Sequence, residues 1–278
     1  MRIENVLKDR MNHVQDSQVK EAMLYSLLAG GKRIRPNLLY EVVKGYGKDE
    51  TLADDFACSL EMIHTYSLIH DDLPAMDNDD LRRGRPTCHK QFDEATAILA
   101  GDGLLTEAFH VASNSVLEAD IVVKGICILS SMAGASGMVY GQVLDMNEER
   151  NSSWDDIQKV HNYKTGCLLS APLMIGAVIA NKEEDIINAW HDIGIQLGLA
   201  FQIQDDILDV ELSAEEFGKS NSDERNDKVT SVTILGIEKA RSFMNELYEN
   251  AINQIVAMED FDSASLVEMI QSIETRRK

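Results

Sequence analysis

Residues 54–72 read DDFACSLEMIHTYSLIHDD. Apolar side chains recur there three and four positions apart, the spacing that lines one face of a helix with 3.6 residues per turn. The same spacing runs through VKEAMLYSLLAGG (19–31) and SLVEMIQSIETRRK (265–278), and no sustained period-two alternation, Asn-Gly or Asp-Gly turn, or Gly/Ser-rich linker interrupts it. Ile121–Val143 and Ile193–Ile203 are nearly apolar all round, which predicts helices in the middle of a bundle. The four prolines are Pro36, Pro74, Pro86 and Pro172. Gly30-Gly31 closes one helix, and Pro36 opens the next near its first turn. KGYGKDE (44–50) and NSSWDD (151–156) read as short turns, the second followed by a helix capped by Ser152 or Ser153. The pattern predicts one all-α domain over 1–278, of about ten helices joined by short loops.

Composition narrows the function classes. The 278 residues are 44% hydrophobic, enough for a large core. With 47 acidic against 26 basic residues the net charge is −21, so there is no basic footprint for nucleic acid. Cys58, Cys88, Cys127 and Cys167 form no C-x-x-C pair, which argues against zinc and disulfide frameworks and suits a reducing compartment. MRIENVLKDRMNHV at the N-terminus has no apolar core of a signal peptide. The longest nearly apolar run, Cys167–Ala180, is too short to span a bilayer. The expectation is a cytoplasmic protein with no membrane span.

Two aspartate clusters stand out. The first, IHDDLPAMDNDD (69–80), holds Asp71, Asp72 and Asp77; the second, QIQDDILD (202–209), holds Asp205, Asp206 and Asp209. On a helical wheel Asp206 and Asp209 lie about 100° and 40° from Asp205, so all three share one face. Asp77 would lie about 240° from Asp71 on a continuing helix. Pro74 prevents that continuation and lets the chain bring Asp77 back. All-oxygen carboxylate sites suit hard cations, magnesium above all, which completes its octahedron with water and phosphate. An EF-hand does not fit, because DNDDLRRGRPTC lacks glycine at the sixth position and glutamate at the twelfth.

Basic residues flank these clusters: Arg82, Arg83 and Arg85 in LRRGRPTCH, Lys32, Arg33 and Arg35 in GGKRIRP, Lys164 in YKTG, then Lys219 and Lys228. Arginine forks and lysine charges beside a magnesium site describe a pocket for diphosphate. GGK is not a P-loop, since the required spacing and Ser/Thr are absent.

In order and approximate spacing, GGKRIRP, IHTYSLIHDDLPAMDNDDLRRGRPTCH, YKTG, GLAFQIQDDILD and GK followed by DK resemble the trans-prenyl diphosphate synthases, most of all the bacterial-type farnesyl diphosphate synthases. The resemblance implies a helical bundle around a deep central cavity, a homodimer, and condensation of isopentenyl diphosphate with an allylic diphosphate. It implies magnesium, three ions with diphosphate bound, held by Asp71, Asp72 and Asp77 on one wall and by Asp205, supported by Asp206 and Asp209, on the other. Arg82, Lys164, Lys219 and Lys228 would hold the allylic diphosphate, and Lys32, Arg35, His64 and Arg83 the isopentenyl diphosphate. Lys164, Thr165 and Gln202 would face the developing allylic cation. His64, seven residues before Asp71, falls within about 20° of it on the same helix face. By resemblance, Tyr66, five residues before Asp71, is the floor that stops growth at fifteen carbons, with the small Ser67 beside it. A geranyl or twenty-carbon geranylgeranyl product is the alternative. A class I terpene cyclase would not need GGKRIRP, His64 and Arg83, and a non-catalytic subunit would have lost one of the clusters.

Overall fold

The computed structural model describes residues 2–147, 153–211 and 229–276. The chain forms α1 (Arg2–Arg10), α2 (Gln18–Leu27), α3 (Ile34–Gly45), α4 (Asp54–Asp71), α5 (Cys88–Gln91), α6 (Glu94–Ser113), α7 (Ala119–Ala133) and α8 (Met138–Asp145). It continues with α9 (Trp154–His161), α10 (Cys167–Ile179), α11 (Glu184–Glu211), α12 (Ser231–Leu235), α13 (Ile237–Val256) and α14 (Ala264–Glu274). The expected all-α architecture is correct, and the helix count is higher because several apolar stretches are broken. Ser153, rather than Ser152, caps α9: its hydroxyl accepts from Asp156 N–H and the Asp156 carboxylate closes a capping box.

Two buried apolar clusters make up the interior, and α10 separates them. Leu168, Ala171, Ile175 and Ile179 pack toward α4 and α7. Leu169, Leu173, Ala177 and Val178 pack toward α3 and α11. Every residue of α10 is buried, so its sequence must be apolar all round. Each large aliphatic side chain buried there contributes roughly 1.5–3 kcal/mol relative to exposure. The expectation for Ile193–Ile203 also holds, with Ile193, Leu197, Leu199, Ala200 and Ile203 buried in α11. Backbones touch where α11 crosses the start of α10: a Cβ on Gly198 would sit 2.4 Å from Gly166 Cα.

Ile121–Val143 departs from its expectation. Instead of one central helix it is broken between Ala133 and Met138 into α7 and α8, and Val123, Val139, Tyr140 and Val143 are exposed. Ala119–Asp145 as a whole has the length and apolar composition of a membrane-crossing segment. The break leaves helices of 15 and 8 residues, each shorter than the roughly 20 that a bilayer core requires.

A small hairpin was also not foreseen. Leu81–Arg82 pairs antiparallel with Arg85–Pro86 as β1 and β2. Arg83 and Gly84 form its turn with φ of 54° and 73°, the double positive φ of the tight hairpin turn that usually carries Asn-Gly.

Candidate active site

Five segments place their functional side chains around one cavity of about 890 Å³. Its lining brings together Lys32, Arg35, His64, Tyr66, Ser67, Asp71, Arg82, Arg83, Lys164, Thr165, Gln202 and Asp205. These twelve come from segments spread over most of the sequence.

The first wall is the C-terminal end of α4. The helix ends at Asp71, and the chain turns through Pro74 so that Asp77 N–H donates to the Asp71 carbonyl at 2.8 Å. Burial, followed by the neighbouring charges of Asp77 and Asp72, pushes the Asp71 carboxyl up to about 6 against the pull of Lys164 and Arg82. Among the described residues no cation lies within ion-pair distance of it. Asp77 is exposed beside it.

Asp72, expected in the same ligand set, is paired with Arg82 in this structure. The side chain is buried, and Arg82 Nε and Nη2 donate to its carboxylate at 2.8 and 2.5 Å. Asp72 is therefore an anchor for Arg82, which the hairpin carries to the cavity rim. The same turn sends Arg83 to the carbonyl of Gly30, joining the hairpin to the GGKRIRP loop.

That loop forms the cationic side. Arg33, in the left-handed conformation at φ 50°, buries its guanidinium against Glu61 at 2.5 Å and donates to Leu27 O at 2.8 Å. Lys32 and Arg35 are thereby presented to the cavity. Arg35 has no hydrogen-bond or ion-pair partner among the described residues, and its Nε is buried and unsatisfied. Burial lowers its pKa to about 10, with Arg83 repulsion adding and Glu61 opposing. Burial, then Arg35 and Arg83, holds His64 neutral, well below its ordinary value. A half-buried cluster of cations in which the Arg35 guanidinium keeps an unsatisfied buried N–H is a site for an anion.

Lys164 and Thr165 enter the cavity from a π-helical turn, Asn162–Gly166, between α9 and α10. Such turns displace side chains from the regular helical face and recur at functional sites. A Cβ on Gly141 would lie 2.1 Å from Lys164 N, so only glycine allows α8 to seat against this turn. Lys164 Nζ donates to Asp145 at 2.6 Å. Burial opposes the Lys164 charge, but Asp145 and Asp71 outweigh it and keep the ammonium protonated. Thr165 Oγ1 donates to Gln202 Oε1 at 2.8 Å.

The second wall is α11. Asp205 lines the cavity, where Arg276 Nη2 meets it at 2.5 Å. Arg276 also donates to Gln204 Oε1 at 2.9 Å and lies 3.8 Å over the Phe201 ring. Asp206 does not line the cavity: it accepts from Ser231 N–H and Oγ at 2.8 and 2.7 Å, with His161 Nε2 3.7 Å away. Burial alone would raise its pKa, but His161 and Ser231 outweigh burial and lower it. Asp209 is exposed and outside the lining. Of the three aspartates of this cluster, Asp205 lines the cavity, with Asp206 and Asp209 on the same helix beside it. Lys219 and Lys228 lie outside the described residues.

The crowded oxygens of Asp71, with Asp205 lining the same cavity, fit a hard divalent cation. Residues that sequence reasoning did not assign are Glu61, Gln142, Asp145, Phe201 and Arg276, all in the lining or bonded to it. None carries a local signal: Glu61 is one acid inside an apolar helix, and Asp145 is paired only through the fold.

Comparison with known proteins agrees with this geometry. The polyprenyl synthetase family profile matches residues 16–269. The chain belongs to the polyprenyl synthetase family. It is 50% identical over 236 residues to a farnesyl diphosphate synthase of Micrococcus luteus, covering 84% of this chain and 81% of that one. The fold matches a geranyltransferase from Legionella pneumophila with a TM-score of 0.85 and 37% identity, over 99% of this chain and 94% of the other. A Helicobacter pylori geranyltransferase, solved with magnesium and isoprenyl diphosphate, matches with a TM-score of 0.81 and 37% identity, over 97% and 91% of the two chains.

Proposed function

We propose that this member of the polyprenyl synthetase family condenses isopentenyl diphosphate with dimethylallyl or geranyl diphosphate to give farnesyl diphosphate. One observation carries the reading: a single cavity holds the Asp71 carboxylate on one side and, on the other, a cationic pocket centred on Arg35, whose buried Nε is unsatisfied. The first side suits a metal-bridged diphosphate and the second suits a diphosphate bound directly, so two diphosphate substrates fit together.

Asp71, Asp77 and Asp205 would hold magnesium, three ions with the allylic diphosphate in place. Bound magnesium supplies the positive charge that a departing diphosphate requires. Lys164 and Arg82, each fixed by a carboxylate, add directed donors to the same leaving group. Lys32, Arg35, Arg83 and the neutral His64 orient isopentenyl diphosphate so that its double bond faces the allylic carbon. As the allylic carbon–oxygen bond breaks, the mutually bonded Thr165 and Gln202 present oxygen dipoles to the developing cation. The new carbon–carbon bond forms, and the proton lost from the isopentenyl unit passes to the released pyrophosphate. The apolar lining from Met76, Met138, Val139 and Phe201 keeps bulk water from the cation.

Tyr66 is buried at the cavity wall with its ring 5.8 Å from His70, edge to face, which supports its role as the floor for a fifteen-carbon chain. The exposed Ile98 and Leu99 on α6 and Val123 on α7 support a homodimer through these helices, which sedimentation of the full chain tests. The enzymatic reading is tested by incubating isopentenyl and geranyl diphosphates with and without magnesium and separating products by chain length. A magnesium-dependent fifteen-carbon product is expected, moving to longer chains in Tyr66→Ala. Diphosphate release from geranyl diphosphate alone, without condensation, would refute it.

A further inference from the structure

Away from the cavity, His13, Glu107 and His110 form a compact group of different chemistry. His13 lies in the turn after α1, while Glu107 and His110, three residues apart on α6, share one helix face. His13 Nε2 lies 2.8 Å from Glu107 Oε1, and the two imidazole centroids are 4.9 Å apart. One ligand atom from each of the three side chains lies within 4.8 Å of the other two. Glu107 Oε1 is shielded from solvent and, despite the nearby His13, has no aligned hydrogen bond among the described residues. Both imidazoles are exposed, so a small ion has access.

We propose that this group is a binding site for a borderline transition-metal cation, Zn²⁺ foremost. Two imidazole nitrogens with one carboxylate oxygen are a mixed donor set that suits zinc, cobalt or nickel, whereas magnesium prefers oxygen alone. Three protein ligands leave the fourth position of a tetrahedron for water. The close approach of Glu107 to His13 then becomes two ligands of one ion, and shifts well under a residue's length bring all three donors to bonding distance.

The site is separate from the substrate cavity. The helices α4 and α6 run antiparallel: His70 Nε2 meets Ile98 O at 3.1 Å at one end, and Ser59 Oγ donates to Ala108 O at 2.7 Å toward the other. The rise of 1.5 Å per residue puts His110 roughly 18 Å along α6 from Ile98, which lies at the Asp71 end. An ion at His13 therefore cannot touch a diphosphate held by Asp71. Its effect is to fasten the N-terminal corner to α6. That corner is otherwise attached to α4 and the core through buried Ile3, Leu7 and Met11 and through ion pairs such as Arg10–Asp55 at 2.5 Å and Arg2–Asp54 at 2.8 Å. The three ligands come together only in the folded chain, so bound zinc raises the thermal midpoint.

The test uses the metal-stripped full chain in magnesium-free buffer. Zn²⁺ is titrated in competition with a chromophoric chelator, and Co²⁺ is followed by its visible absorption. One ion per chain is expected, with Co²⁺ bands of tetrahedral nitrogen–oxygen coordination. His13→Gln and His110→Gln should each weaken Zn²⁺ binding by more than the roughly tenfold to hundredfold loss typical of an outer-shell partner. The double variant Asp71→Asn/Asp205→Asn should bind Zn²⁺ as the parent does. Far-ultraviolet circular dichroism checks that each variant is folded, and the exposed position of His13 makes its replacement the safer of the two. No stoichiometric binding would overturn the proposal. So would binding unchanged in both histidine variants, or binding lost with Asp71 and Asp205, because the ion would then belong to the cavity carboxylates.

Discussion

The two aspartate walls look alike in sequence and behave differently in the fold. On α4, Asp71 ends a helix among other carboxylates and has no ion-pair partner among the described residues, so its charge is opposed by its surroundings. On α11, Asp205 is already met by Arg276 and Asp206 by Ser231 and His161, so both charges are supported. A cation arriving at the first wall relieves repulsion. A cation arriving at the second competes with a guanidinium. Repetition of a motif therefore does not mean repetition of a role: the neighbours supplied from elsewhere in the chain decide it.

The largest expected effect removes either wall. Asp71→Ala and Asp205→Ala should each lower condensation by about a thousandfold or more, equivalent to the several kcal/mol of charge stabilisation that a metal provides. Helix content by circular dichroism should stay as in the parent. Near-normal turnover in both would break the assignment of metal to these walls.

Next in size is the support of Lys164. Asp145→Ala leaves the ammonium in the cavity without its 2.6 Å partner, and misplacement of a catalytic cation costs up to roughly a hundredfold in kcat. Binding of isopentenyl diphosphate should change little, because its pocket lies on the GGKRIRP side. An equal loss in both measurements would show that Asp145 supports the fold rather than Lys164.

A smaller effect of opposite sign distinguishes the walls. Arg276→Gln removes the cation that competes at Asp205, so magnesium affinity by calorimetry should rise by roughly fivefold, about 1 kcal/mol, in the absence of substrate. Weaker magnesium binding in this variant would mean that Arg276 orders the second wall instead of competing for it.

The subtlest contrast is in pH. The raised pKa of Asp71, about 6, means that the folded state binds a proton more readily than the unfolded state. In metal-free buffer its contribution to stability therefore falls as pH rises from about 4 to about 6. Asp206 has the opposite sign: its lowered pKa gives stability that is present above the unfolded value and lost as pH falls below it. The thermal midpoint of Asp71→Asn relative to the parent should thus increase between pH 5 and pH 7, by a few degrees. A difference that is flat across this range would remove the crowding argument.

Much of the fold was legible because periodicity reports burial directly. The stretch at 54–72 became α4, and Pro74 returned Asp77 to Asp71 as its fixed φ and absent N–H required. What could not be read was partnership across the chain. Asp72 and Asp71 are identical neighbours in sequence, yet only the hairpin at Arg83-Gly84 shows that Asp72 belongs to Arg82. That hairpin escaped notice because Arg-Gly is not the usual pair for such a turn. Likewise, nothing in YKTG announces a π-helical turn, and nothing in RRK at the C-terminus announces a contact with Asp205. The break in Ile121–Val143 was missed for a different reason. An apolar helix face directed at a cavity, as Met138, Val139 and Val143 are, has the same composition as one directed at a core.

The most direct test of the account is calorimetric binding of a non-ionising allylic diphosphate analogue, with and without magnesium. The account holds that carboxylate walls bind an anion only through a cation between them. Binding should therefore be tight with magnesium, weak without it, and equally weak in Asp71→Asn with magnesium present. Equal affinity with and without the metal would contradict the account, because the anion would then be held by the arginines and lysines alone.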